Sequence, residues 1–162
     1  MPRIVLYQPQ IPPNTGNVAR TCAATGTELH LIEPLGFEIS DQRLRRAGLD
    51  YWPWVQLHRH PDLKAFNARR CAEGGRLVAL SSHASVAHTS FVFRRSDWLL
   101  FGRETDGLPD SVKQAAQTCL TIPMARSRAS GNGGVRSLNL SVAVGIVLFE
   151  ALRQLGFNQV RT

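Results

Sequence analysis

The chain is 162 residues long, 43% hydrophobic and 19% charged, which fits one globular domain spanning 1–162, large enough for a proper core and ordinary in its hydrophobic content. Lys plus Arg number 19 against 12 for Asp plus Glu, a formal net charge of +7, and only Lys64 and Lys113 are lysines. Guanidinium forks pair with phosphate oxygens and stack on bases, so the balance favours a polyanionic partner, nucleic acid first, over generic solubility.

Taken in order, Ile4 to Tyr7 reads as a buried strand ended by Pro9, Pro12 and Pro13. A helix from Asn14 to Thr25 follows, with Asn14 as its cap and Gly26 as its stop. Glu28 to Ile32 is a second strand, closed by Pro34. Ser40 to Ala47 reads as a short basic helix ended by Gly48, and Asp50 to Trp54 as an aromatic turn beside it. Val55 to Leu57 is a possible strand and Pro61 to Cys71 a helix with Asp62 in its first turn. Leu77 to Leu80 and Trp98 to Phe101 are further strands, with Ala84 to Ser96 irregular between them. Pro109 to Gln117 is a helix with Pro109 in first position, and Cys119 to Ile122 a strand stopped by Pro123. The last helix opens at Asn139, whose side-chain oxygen can accept from the first-turn N–H groups, and closes at Gly156 with Phe157 folded back on Leu152. Its segment from Val142 to Phe149 is apolar on nearly every face, which predicts burial on several sides. Strands alternating with helices imply an α/β fold, a mostly parallel sheet flanked by helices.

Cys22, Cys71 and Cys119 are odd in number and show no Cys-x-x-Cys spacing, so they read as reduced core residues. Met1 to Arg3 precedes an apolar run too short for a signal peptide, and no run reaches membrane-span length. A cytoplasmic protein without membrane attachment is expected.

In an open parallel sheet, ligands collect beyond the carboxyl ends of strands. Here those ends carry Leu80-Ser-Ser82, Gly102 to Gly107, and the Gly- and Arg-rich loop from Ile122 to Ser137, where a small polar ligand is expected. Gly131-Asn-Gly-Gly134 lacks the Gly-x4-Gly-Lys pattern, and no Gly-x-Gly-x-x-Gly follows a strand, which argues against nucleoside triphosphates and dinucleotides. His30, His58, His60, His83 and His88 show no zinc-ligand spacing, so no metal is expected. Arg20 lies mid-helix in an otherwise small and apolar segment, six residues beyond Asn14.

Three stretches together carry a resemblance: Pro12-Pro-Asn-Thr-Gly-Asn-Val-Ala-Arg20, Phe101-Gly-Arg-Glu-Thr-Asp-Gly-Leu-Pro109, and Ile122-Pro-Met124 followed by Ser137-Leu-Asn-Leu-Ser141. They resemble the three motifs of the SPOUT RNA 2′-O-methyltransferases. Ile32 to Phe37 and Arg43 to Tyr51 match the small subfamily acting on the tRNA wobble nucleotide, a cytidine or a modified uridine. The resemblance implies a SPOUT fold with a C-terminal trefoil knot, a homodimer, S-adenosyl-L-methionine as methyl donor, and tRNA as substrate. It places cofactor contacts at Leu80, Gly102, Ile122, Met124 and Ser137, and the catalytic set at Asn14, Arg20, Glu104, Ser137 and Asn139. Arg20 would stabilise the developing ribose alkoxide and hold a phosphate, helped by Glu104. RNA contacts are expected from Arg136 and from Arg43, Arg45 and Arg46 beside the stacking surfaces of Tyr51, Trp52 and Trp54. The chain departs from the subfamily in its longer loop from Arg126 to Val135 and in Phe149, where a tyrosine is expected. Ribosomal RNA methylation and non-enzymatic RNA binding are the alternative readings.

Overall fold

The computed structural model describes residues 1–38, 51–125 and 134–157. The predicted basic helix from Ser40 to Ala47, with Arg43, Arg45 and Arg46, lies outside the described residues. The strands are β1 (Arg3–Tyr7), β2 (Leu29–Ile32), β3 (Leu57–His60), β4 (Leu77–Leu80), β5 (Val86–Ala87), β6 (Trp98–Phe101) and β7 (Thr118–Thr121). They form one seven-stranded sheet in the order β3-β2-β1-β6-β4-β7-β5, with every pair parallel. The helices are α1 (Pro12–Thr25), α2 (Leu63–Glu73), α3 (Asp110–Gln114) and α4 (Leu140–Gln154).

Strands buried on both faces favour a parallel sheet covered by helices on each side, and two apolar layers result. Ile4, Leu6, Leu29, Leu31, Leu99 and Phe101 pack with Val18 and Cys22 of α1 and Val144, Leu148 and Ala151 of α4. On the other side Val5, Ile32, Leu77, Trp98 and Leu100 pack with Phe66 of α2 and Val112 of α3. Burial pushes the Cys22 thiol up to about 12, consistent with a core filler.

Several boundaries differ from the sequence expectation. Helix α1 begins at Pro12, with Ile11 in the cap position and Pro in the first turn, so Asn14 is not the cap. Prolines at the start give up N–H groups that have no helical partner, which frees the Asn14 side chain for other bonds. Asp62 is the cap of α2, its side chain accepting from Ala65 N at 2.7 Å. Pro109 precedes α3 instead of opening it. The stretch expected to be irregular contains β5 and a 3-10 turn, His88–Ser90. Helix α4 buries one face; Val142, Ile146 and Phe149 remain exposed in the single chain, against the expectation of burial on several sides. Gly156 takes the left-handed conformation (φ 77°), and Phe157 N–H donates to Leu152 O at 2.9 Å, closing the helix as anticipated.

Strand β3 falls on Leu57 to His60 rather than Val55 to Leu57 because tertiary packing overrides its polar sequence. Its register sets His58 opposite His30, and the two rings stack at 4.6 Å. Arg69 can only donate, so His58 Nδ1 accepts from it at 3.1 Å. His58 Nε2 and His30 Nε2 then face Glu28 Oε2 at 3.5 and 3.2 Å, and His60 Nε2 donates to His30 Nδ1 at 3.0 Å. Chain spacing hid this cluster, in which ligating atoms of Glu28, His30 and His58 lie within 4.8 Å of one another. The stacked rings point their N–H groups side by side at one carboxylate, which Arg3 Nε also approaches at 3.5 Å.

Burial lowers the pKa of His30 from 6.5 to about 3, and lowers those of His58 and His60 as well. The unfolded chain therefore takes up protons that the fold refuses. The stabilisation is complete above pH 6.5 and is lost as pH falls towards 3. Urea unfolding should show stability falling with pH by up to ~1.4 kcal/mol per unit for His30. His30→Asn should flatten that dependence; an unchanged slope would assign the loss to other groups.

Candidate functional site

Beyond the carboxyl ends of β1, β4, β6 and β7 lies a cavity of about 390 Å3, within the ~300–1,000 Å3 typical of small-ligand sites. Ile11, Leu80, Phe101, Leu108, Ile122, Met124 and Leu140 supply apolar walls, while Asn14, Ser81, His83, Glu104, Ser137 and Asn139 supply polar groups. Leu80, Gly102, Ile122, Met124 and Ser137, expected to hold a cofactor, all line it. Arg136 lines it too and is exposed. His83 and Lys113 are lining residues that the sequence did not single out. They come from the loop after β4 and from α3, and only the sheet order brings them together.

One hydrogen-bonded chain joins the three motif loops. Glu104 Oε2 accepts from Gln10 N at 2.9 Å, and its Oε1 accepts from Ile11 N at 3.1 Å and Asn14 Nδ2 at 3.2 Å. Asn14 Oδ1 accepts from Asn139 Nδ2 at 2.9 Å. Asn139 Oδ1 caps α4, accepting from Ser141 N at 2.9 Å and Val142 N at 3.4 Å. The cap was legible in the sequence; the bridge to Asn14 and Glu104 was not, because its members lie 90 and 125 positions apart.

The loop after β6 folds back on itself. Arg103 and Gly107 exchange backbone hydrogen bonds at 3.1 and 2.9 Å, and Gly107 adopts a φ of 72°. A Cβ on Gly102 would stand 2.3 Å from Gly107 C and 2.5 Å from Leu108 N, so glycine is required there. Arg103 is held by Asp106 and Gln8, leaving Glu104 directed at the start of α1.

Arg20 is exposed and does not line the cavity. Six residues of helix turn it about 120° around the axis from Asn14. Its guanidinium instead lies 4.8 Å from the centroid of the Tyr51 ring. Tyr51, expected as an RNA-stacking surface, thus packs on α1, and its hydroxyl donates to Gly16 O at 2.9 Å.

Residues 1–149 match the SpoU rRNA Methylase family. The chain belongs to that family. It is 47% identical over 159 residues to the tRNA (cytidine(34)-2'-O)-methyltransferase of Escherichia coli K12, covering 97% of this chain and 96% of that protein. A solved structure concerned with 2-OH methylation of C/U34 on tRNA superposes with a TM-score of 0.86 at 49% identity, covering 96% and 97% of the two chains. An AdoMet-bound rRNA methyltransferase from Sinorhizobium meliloti gives a TM-score of 0.81 at 28% identity, with 94% of this chain but 56% of that one covered. Family membership agrees with the resemblance carried by the three motifs, and the parallel α/β sheet is the fold of these methyltransferases.

Gly102→Ala should displace the loop from Arg103 to Gly107, lower unfolding free energy by ~1–3 kcal/mol and speed amide exchange at Gly107. Unaltered stability and exchange would show that the loop accommodates a methyl group.

Proposed function

We propose that this chain methylates the ribose 2′-hydroxyl of the tRNA wobble nucleotide, a cytidine or a modified uridine, with S-adenosyl-L-methionine as donor. The observation that carries the reading is the single cavity onto which all three motif loops converge, roofed by the capped end of α4. The names of near-full-length relatives point to tRNA, and the ribosomal RNA methyltransferase is much longer than this chain. No helix among the described residues is long and apolar enough to cross a membrane, and a cytoplasmic location goes with the substrate.

The cavity fits the donor: its volume and its mix of apolar walls with polar groups suit a nucleoside bearing an amino-acid tail. Leu80, Ile122 and Met124 would pack on the flat base, and Gly102 and Ser137 would meet polar edges. When bound, S-adenosyl-L-methionine supplies an electrophilic methyl group whose sulfonium leaves as a neutral thioether. The chain's own task is to place the 2′-oxygen in line and to ease loss of its proton. Glu104 is occupied by three donors and serves as a clamp on Asn14. Asn14 in turn orients Asn139 at the cavity wall. Arg20 stabilises the developing alkoxide electrostatically, since a guanidinium stays protonated.

Arg20 lies outside its own chain's cavity, and the exposed stripe of Val142, Ile146 and Phe149 leaves α4 uncovered. A homodimer answers both, covering α4 and carrying Arg20 towards the partner's site. A C-terminal trefoil knot belongs to the same reading. Arg136 at the rim contacts the RNA backbone, as do Arg43, Arg45 and Arg46.

The test is single-turnover transfer of labelled methyl to tRNA, with the modified nucleotide mapped. Methylation at the wobble ribose, lost ~100- to 1000-fold in Arg20→Ala at saturating tRNA, is expected. Methylation elsewhere would overturn the substrate, and full rescue by excess tRNA would reduce Arg20 to a phosphate anchor.

A further inference from the structure

Arg20 and Tyr51 form a unit that the motifs do not define. Gly16 and Arg20 are one turn apart on the same face of α1. Tyr51 lies along that face, its hydroxyl bonded to Gly16 O at 2.9 Å and its ring 4.8 Å from the Arg20 guanidinium carbon. Tyr51 is half-buried and packs against the apolar layer to which α1 and α4 contribute, so core packing restrains the ring that Arg20 meets. It is followed directly by the 3-10 turn Trp52–Trp54, whose Trp54 N–H donates to Tyr51 O at 3.0 Å. The residue is therefore held twice, its hydroxyl bonded to the helix and its backbone carbonyl to a tight turn.

We propose that Tyr51 is a positioning residue for the methyl-transfer reaction, holding the Arg20 guanidinium in the orientation that meets the ribose. This rests on the reading of Arg20 given above. An exposed arginine has four rotatable side-chain torsions, and a contact made only in the transition state gains from having them restricted beforehand. The ring supplies an attractive negative face without neutralising the charge, which a carboxylate partner would do. The guanidinium stays electrostatically available and its N–H edges stay open to substrate oxygens. The hydroxyl acts indirectly, by setting the ring's place on α1.

The experiment replaces residue 51 and reads the single-turnover rate at saturating tRNA. Tyr51→Leu should slow the chemical step about fivefold with S-adenosyl-L-methionine affinity unchanged. In the Arg20→Ala background the same substitution should have no further effect. Equal slowing in both backgrounds would make Tyr51 merely structural and overturn the proposal. A rate that survives Arg20→Ala alone would instead overturn the role given to Arg20. Tyr51→Phe, which keeps the ring, covers the case in which Tyr51→Leu fails to fold. Installing phenylalanine and its mono-, di- and trifluoro analogues at position 51 withdraws charge from the ring face at nearly constant shape. A stepwise fall in rate along that series is expected; a flat series would show that the ring's electrostatics do nothing for Arg20.

Discussion

The bridge from Glu104 through Asn14 to Asn139 is the contact on which the site depends. Its members come from the loop after β6, the first turn of α1 and the start of α4. A carboxylate that accepts two backbone N–H groups fixes where the chain enters α1, and the same carboxylate aligns the Asn14 amide. Asn14 is nearly fully buried, where an unpaired amide would be costly, so the bridge tolerates little slack. At its far end Asn139 satisfies first-turn donors of α4. Polar complementarity between three loops, on top of a sheet held by apolar burial, gives the cavity its shape.

The sheet order explains why those loops meet. β1, β6, β4 and β7 are neighbours although far apart in sequence, and all point their carboxyl ends the same way. Helix α4 covers one face of the sheet beside α1 and presents its capped end to the same place. Val142, Ile146 and Phe149 on α4 and Arg20 on α1 are exposed and do not line the cavity.

Much of this was legible in the residues. Apolar runs bounded by proline and glycine marked five of the strands closely, and Asn139 and Gly156 marked the ends of α4. The failures share one cause. Asn14 resembles a helix cap, yet two prolines start the helix earlier and turn its amide towards a residue ninety positions away. His58 and His60 look like surface polar residues, yet parallel pairing stacks them on His30 inside a hydrogen-bonded chain. Tyr51 stands beside basic residues in sequence, whereas its hydroxyl and ring meet Gly16 and Arg20 of α1. Local patterns encode elements and caps; pairings set by tertiary register carry no local signal.

The most direct test is calorimetry of S-adenosyl-L-methionine binding to Asn14→Ala, Asn139→Ala and the double variant, each first shown to be folded. If one bridge shapes the cavity, each single substitution weakens binding about tenfold, ~1.4 kcal/mol, and the double costs no more than the larger single. Effects that simply add would mean that the two asparagines act independently, and would contradict the bridge as the organising contact.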